Sequence, residues 1–512
     1  MQPLWYRTAV VYQVDIARFY DANGDGWGDL RGVTERLEYI RGIGANCIWL
    51  MPFYETPYRD GGYDVVDHLT IDPRFGDVAD LALLLDKADD LGLRVIIDLV
   101  AQHTSIDHPW FRKAREHRDS PYRDYYVWAD EPEPTDVRQV FPTVHDSVWT
   151  WDEVAGQYYR HTFYDHEPDL NVGHPEVLYH LERVMAFWLR MGVAGFRVDA
   201  LPYMVERARA VDPSEDGLWL IEHMHEFVAL RKPDAVLMGE VDVPVDGYAE
   251  YFGDGRRLSM LLDFWGTNHL WLALARNEAG PLAEGLRKRP APPAHGQYAT
   301  FLRNHDELDL ERLTDAEQEE TLAAFAPEEE MRIYDRGVRR CLASMLGDDE
   351  RRIEMAFALL LSLPGSPVLL YGDEIALDDD LSRPERMAVR LPMDWESVQE
   401  QITRPDSLLT KVSELARARV GRRELGHGSC EPLDVGCPSV LCLLHRLDER
   451  KLLTVVNLAP EPVEFDVPDS DMRDLVDIVA DQDYADRSDV HGRIQLGGHG
   501  YRWLQRKGEV FG

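Results

Sequence analysis

Gly195-Phe196-Arg197-Val198-Asp199-Ala200 is a short apolar run that carries a cation and a carboxylate at alternate positions. Side chains two residues apart share one face of a strand, so Arg197 and Asp199 point the same way. Three other apolar runs end on polar residues. Val95-Ile96-Ile97-Asp98-Leu99-Val100 leads to Gln102 and His103, Val236-Leu237-Met238-Gly239 leads to Glu240, and Tyr298–Leu302 leads to Asn304-His305-Asp306. One such residue would be an ordinary cap, but four strand ends carrying ionisable groups call for a shared face. A closed parallel barrel supplies it, because all its strand C-termini open on one rim. Periodicity alone would also admit a doubly wound sheet; the polar strand ends decide for the barrel.

Working outward, eight strand-like runs alternate with amphipathic stretches: Ala9–Val14, Cys47–Met51, Arg94–Val100, Gly195–Val198, Ala235–Gly239, Ser259–Phe264, Tyr298–Leu302 and Pro367–Tyr371. Helical periodicity marks Val33–Ile43, Val78–Leu91, Val177–Met191 and Ile353–Leu363. The expected architecture is α/β: a (β/α)8 barrel over residues 1–103 and 172–425, with an inserted domain after strand 3 at 104–171. A charged insertion of helical character spans 307–349, and short turn-spaced strands predict an antiparallel β-sandwich over 426–512.

Composition narrows the partners. Lys+Arg number 55 against 93 Asp+Glu, a net charge of −38, which repels phosphate backbones and anionic lipid, so neither nucleic acid nor membrane is expected. The acidic run Asp466–Asp489 reads as a solvated face. No signal peptide or spanning segment is evident, and the five cysteines lack metal spacing, which predicts a reduced, cytoplasmic setting. A homo-oligomer stays an open alternative.

Three strand-end carboxylates, with neither a Cys–His pair nor a GxSxG elbow, suit acetal chemistry. Cleaving a glycosidic bond by double displacement needs one ionised carboxylate as nucleophile and one protonated carboxyl to release the leaving oxygen. Arg197 would keep Asp199 ionised, Glu240 would take a raised pKa from its neighbours, and Asp306 would stabilise the developing cation. His103 and His305 would meet sugar hydroxyls. Aromatic residues of the long insertion (Trp110, Phe141, Trp149, Trp151, Tyr158, Phe163, Tyr164) are candidates for the pocket wall.

Asp98–His103, Gly195–Ala200, Gly239-Glu240 and Arg303–Asp306 resemble, in order and spacing, the four signature regions of the α-amylase family of glycoside hydrolases. The likeness runs from Trp5 to about Trp395. It implies that Asp199 is the nucleophile, Glu240 the acid/base and Asp306 the transition-state stabiliser. Within the family, Asp60–His68, Ser120–Trp128, Trp149–Tyr159, Phe301–Leu310 and Ser362–Ile375 are most similar to the maltose–trehalose isomerases. That resemblance implies that Asp60, Tyr63 and Arg390 hold the non-reducing glucose in a pocket closed at one end. His103, Phe163, Glu167, Arg197 and His305 belong to the same surroundings. Three positions depart from the family pattern: Gln102 stands where Asn is usual, Glu167 where Gln is usual, and Asp242 where the isomerases carry Asn.

Asp21-Ala22-Asn23-Gly24-Asp25-Gly26-Trp27-Gly28-Asp29 offers oxygen at every second position, suited to a hard cation. It is not an EF-hand, since Gly32 occupies the twelfth position and a strand precedes it. The resemblance implies calcium on Asp21, Asn23, Asp25, Asp29 and the Trp27 carbonyl. It implies a second calcium on Gln102, Asp169, Tyr203, Met204 (through its backbone) and Glu206. Both ions would be structural, and no organic cofactor is expected.

The expected substrate is a small α-linked disaccharide. The leading expectation is isomerisation of maltose and trehalose through a glucosyl-aspartate; the alternative is a hydrolytic α-glucosidase using the same intermediate. A non-enzymatic sugar-binding protein would have lost a triad carboxylate, and all three are present.

Overall fold

A computed structural model describes residues 4–132, 140–211, 214–467, 472, 475–482, 484 and 492–507; part of the acidic run Asp466–Asp489 lies outside them. Eight parallel strands close into a barrel: β1 (Val11–Val14), β2 (Cys47–Leu50), β3 (Arg94–Leu99), β4 (Gly195–Val198), β5 (Val236–Gly239), β6 (Met260–Leu262), β7 (Gln297–Phe301) and β8 (Ser366–Leu370). All eight expected runs are barrel strands, each paired to its neighbours in sequence order, with β8 returning to β1.

Period-two alternation sorts their side chains. Val11, Cys47, Trp49, Ile96, Val236, Met238, Met260, Leu262, Ala299, Phe301 and Val368 share one buried cluster that fills the barrel. Their neighbours Val10, Tyr12, Ile48, Leu50, Val95, Ile97, Phe196, Val198, Leu237 and Leu261 belong to the larger core beneath the helices. Continuing the inward series by two residues takes Ile96 to Asp98, Met238 to Glu240, and Arg197 to Asp199. The polar groups are thus the uppermost layer of the barrel filling.

Helices start where their caps dictate. Asp77 closes a capping box with Asp80 ahead of Val78–Asp90, and His174 caps Pro175–Met191, which stops at Gly192 with φ 120°. The stretch expected as a single helix over Val33–Ile43 forms two, Leu30–Glu35 and Leu37–Ile43, because Asp29 starts the first early and Arg36 leaves helical geometry between them.

Two insertions rise from the rim. The one after β3 contains the helix Pro109–Glu116 and a three-stranded sheet of Trp128–Ala129, Gln157–Arg160 and Trp149–Asp152. The one after β7 is helical only in part. Alongside Asp315–Phe325 it forms a small antiparallel sheet of Leu308–Asp309, Gly337–Val338 and Arg332–Ile333, which helical periodicity could not reveal in strands two residues long.

At the C-terminus, Ser429–Leu433, Val440–Leu447, Arg450–Asn457, Tyr501–Arg506 and Leu475–Ala480 make a five-stranded antiparallel sheet, and Val463–Asp466 pairs with Arg493–Leu496. Val440, Cys442, Leu444, Val455 and Leu504 pack against Phe465, Ile494 and Leu496 of the smaller sheet. Leu441, Leu443, Leu452, Val456 and Trp503 face the other way, into the barrel's helical layer. Among the described residues, no helix is long and apolar enough to cross a membrane.

Candidate active site

The centre of the site is a guanidinium. Arg197 is fully buried; its Nη1 lies 2.6 Å from Asp98 Oδ1 and 2.5 Å from Asp199 Oδ1, and its Nη2 lies 2.6 Å from Glu240 Oε1. Barrel register explains the convergence, since Arg197 pairs with Asp98 on one side and Met238 on the other. Asp98 also accepts from Trp49 Nε1 at 2.6 Å. Glu240 Oε2 accepts the Ala200 amide at 2.8 Å, and Ala200 holds φ 50°, a left-handed strain immediately after Asp199.

One guanidinium serves three carboxylates here. Burial pushes the Asp98 carboxyl up to about 6 against Arg197. Burial pushes Asp199 well above the carboxylate range; Arg197 opposes this, while Glu240 and Asp98 add to it. The expected contact of Arg197 with Asp199 is present, and its charge favours the ionised form that a nucleophile needs. A single guanidinium touches both, Nη1 on Asp199 and Nη2 on Glu240, so the two carboxylates share one cation.

Asp306 sits in the opposite field. Burial would raise it, but His305, Arg386 and Arg390 together hold it far below the carboxylate range. Arg386 Nη1 reaches Asp306 Oδ1 at 2.6 Å and Arg390 Nη2 reaches the same oxygen at 2.8 Å; His305 Nε2 lies 3.2 Å from Oδ2. Burial pushes the His305 pKa well down, and its ring sits between Gln13 Nε2 at 2.7 Å and the Tyr63 hydroxyl at 2.6 Å, with the Tyr63 ring stacked on it at 5.4 Å.

Asp60, Tyr63, His103, Phe163, Asp199, Glu240 and Asp306 line a pocket of about 880 Å³, mouth included, together with Phe141, Tyr203, Phe264, Asn304, Arg336 and Arg386. Arg197, His305 and Arg390 lie behind it and hold its lining carboxylates; Glu167 is fully buried, 3.7 Å from His103 Nε2. His103 is held near pKa 4 by burial, and its Nδ1 meets Gln102 Oε1 at 3.0 Å. Burial pushes Glu167 well above the glutamate range, with Asp60 and Asp64 adding to it and Arg386 opposing. Asp242 behaves alike: burial raises it, and Asp309 and Arg312 act on it in opposite directions.

Sequence reading missed Arg386, which bridges Asp306 and Asp60 (2.9 Å) from the loop after β8. Its one signal was a spacing of four before Arg390. Of the seven insertion aromatics, Phe141 and Phe163 line the pocket. Tyr164 packs behind Phe141, Trp110 stacks beside Tyr125, Trp149 and Tyr158 pack within the inserted sheet, and Trp151 is exposed.

The loop Asp21–Asp29 curls through Gly24 (φ 82°) and Gly26 (φ 93°). Asp21 accepts the amides of Gly24 and Gly26 at 2.6 and 2.8 Å, Asn23 that of Asp25, and Asp25 that of Trp27. The hard oxygens of Asp21, Asn23 and Asp25 lie at the surface and suit a cation, whereas Asp29 is buried, with its oxygens on the Gly32 and Ala22 amides.

The second set does not fit. The Arg160 guanidinium lies across it, Nε 3.1 Å from Asp169 and Nη2 3.3 Å from Glu206, supplying the positive charge itself. Gln102 turns its amide nitrogen to Thr162 at 3.2 Å, the Tyr203 ring faces the pocket, and Met204 is buried in the helix Leu201–Val211. Among the described residues, Asp242, Asp309 and Glu311 form the one three-carboxylate group within 4.8 Å, and Arg312 and Arg336 already pair with it.

Residues 13–417 match the family "Alpha amylase, catalytic domain" and residues 431–503 "Maltogenic Amylase, C-terminal domain". A trehalose synthase from Pimelobacter sp. is 37% identical over 98% of this chain and 96% of its own length. A trehalose synthase/amylase from Mycobacterium tuberculosis is 36% identical over 98% of this chain and 90% of its own. The crystal structure of an α-amylase from H. orenii superposes with a TM-score of 0.80 at 26% identity, covering 98% of this chain and 99% of that one. With its closed barrel, strand-end triad and these full-length relatives, the chain belongs to the α-amylase family of glycoside hydrolases.

Proposed function

We propose that the protein isomerises maltose and trehalose by intramolecular glucosyl transfer. The observation that carries this reading is the contact of one guanidinium with both Asp199 and Glu240, at a pocket also lined by Asp60, Arg386 and Asp306. Asp199 attacks the anomeric carbon as Glu240 gives its proton to the departing glycosidic oxygen, leaving a β-glucosyl ester and free glucose. Asp306 faces the cationic transition state. Glu240 then takes the proton of the anomeric hydroxyl of the retained glucose, which attacks the ester carbon and releases Asp199. From maltose this forms trehalose; run backward, it forms maltose. Full-length similarity to trehalose synthases favours this reading over the α-glucosidase, in which water is the acceptor.

A structural calcium on Asp21, Asn23, Asp25 and the Trp27 carbonyl belongs to the same reading, supported by the hard-oxygen donors of that curled loop. The buried free thiols Cys47, Cys341 and Cys442 favour a reducing, cytoplasmic setting, and a net charge of −38 favours a neutral sugar over polyanions. The experiment is chromatography of products after separate incubation with maltose and with trehalose. A disaccharide product from each is expected, and glucose alone would refute isomerisation. Asp199→Ala and Glu240→Gln should each lower turnover by about 10⁴-fold or more with melting unchanged; near-normal turnover in either would overturn the assignment.

A further inference from the structure

We propose that Tyr164, Tyr334 and Glu385 form a clasp that shuts the pocket against water and so decides between transfer and hydrolysis. The three residues come from three rim segments: the insertion after β3, the insertion after β7, and the loop after β8. The Tyr164 hydroxyl donates to Glu385 Oε2; the Tyr334 hydroxyl lies 3.1 Å from that of Tyr164 and 3.4 Å from the same carboxylate oxygen. Tyr164 and Tyr334 are 8% and 1% exposed. In this knot both insertions and the β8 loop meet through hydroxyl and carboxylate.

The clasp acts on the pocket through two residues that line it. The Phe141 ring is gripped between Tyr164 at 4.7 Å and Tyr334 at 4.5 Å, making with Ile333 a small apolar cluster separate from the main core. Glu385 precedes Arg386, whose guanidinium lies 5.1 Å from the Phe141 ring while it holds Asp60 and Asp306. Opening the clasp frees Phe141 and loosens Arg386 together. Tyr334, Asp335 and Glu385 hold φ of 54°, 61° and 43°, left-handed conformations costly for side chains of this size. Strain on both sides of a small hydrogen-bonded joint is the signature of segments held in place by their contacts rather than by their own preference.

None of the three clasp residues lines the pocket, so their effect is on what reaches the glucosyl ester rather than on its formation. A closed roof keeps the released glucose and excludes water; an open one lets water take the place of the sugar hydroxyl. The clasp is therefore a specificity device, and it rests on the isomerase reading given above.

The test is the ratio of free glucose to trehalose formed from maltose by the wild type, Tyr164→Phe, Tyr334→Phe and Glu385→Gln. Removing one hydroxyl keeps the ring packing on Phe141, and the expected result is a glucose-to-trehalose ratio raised by about tenfold, with maltose consumption within a few-fold of wild type. Thermal melting is read on each variant, and Glu385→Gln serves if a tyrosine variant melts early. An unchanged ratio in well-folded variants overturns the clasp while leaving the isomerase standing. Loss of all turnover in a variant that melts like wild type also overturns it, by moving the hydroxyl into the chemistry. Glucose alone from the wild type overturns the isomerase reading, and the clasp with it.

Discussion

Burial raises two acids of the site, Glu167 and Asp242, above the ordinary carboxylate range. Glu167 is fully buried with Oε1 unpartnered, Oε2 accepts the Tyr164 amide at 3.3 Å, and its pKa lies well above the ordinary range. A carboxyl raised on folding keeps a proton that the unfolded chain gives up, so its burial costs stability progressively as pH climbs above the ordinary glutamate range. Glu167→Gln removes that cost while keeping shape and hydrogen-bonding capacity. The variant should melt above wild type by a few degrees at about pH 8 and by little at about pH 5. A constant difference across that window would show that Glu167 does not titrate there. At the same scale, spacing locates Asp199 but not its surroundings: burial raises it, Arg197 lowers it, and Glu240 and Asp98 raise it further.

At the scale of elements, the inserted sheet is pinned to the barrel by an arginine. Arg160 ends the strand Gln157–Arg160; its carbonyl accepts the Asp169 amide at 2.9 Å and its side chain spans Asp169 and Glu206. Asp169 in turn bridges to His103, so this cross-link sets one pocket wall. Removing one member of a buried pair strands the other's charge, and Arg160→Met should lower unfolding free energy by about 3 kcal/mol in denaturant titration. Calorimetric titration with calcium should give one ion per chain, abolished by Asp25→Ala; two ions would show that a cation displaces Arg160. Elements also mark the limits of pattern reading. Strands such as Gly337–Val338 carry too few residues for a period, and the early cap at Asp29 overrode the longer apolar rhythm of Val33–Ile43.

At the scale of the whole molecule, the C-terminal sheet serves two cores at once. Trp503 is fully buried on its barrel-facing side and donates from Nε1 to Ser362 Oγ at 2.9 Å, at the end of the helix Glu350–Ser362. Tyr501 adds a 2.7 Å bond to Glu354 on the same helix. Trp503→Ala leaves a cavity between the two parts and should cost about 3–5 kcal/mol, read as a lowered unfolding midpoint. A loss under 1 kcal/mol would mean that the sheet is an appendage. The strand that carries Trp503 was itself absent from the sequence reading, because its neighbours Arg502 and Gln505 are polar yet buried, which blurs the alternation.

The sequence alone determined the barrel, its eight strands and the carboxylates at its strand ends, because each is written locally: a short apolar run, ended in four cases by an ionisable residue at the rim. It determined neither the protonation of those carboxylates, nor the arginine across the second cation set, nor the roof. These arise from groups as far apart as Tyr164 and Glu385, or Asp60 and Arg386, which meet only once the loops of a closed barrel fold over one rim. Charge state follows from distance and burial, and both are properties of the tertiary structure.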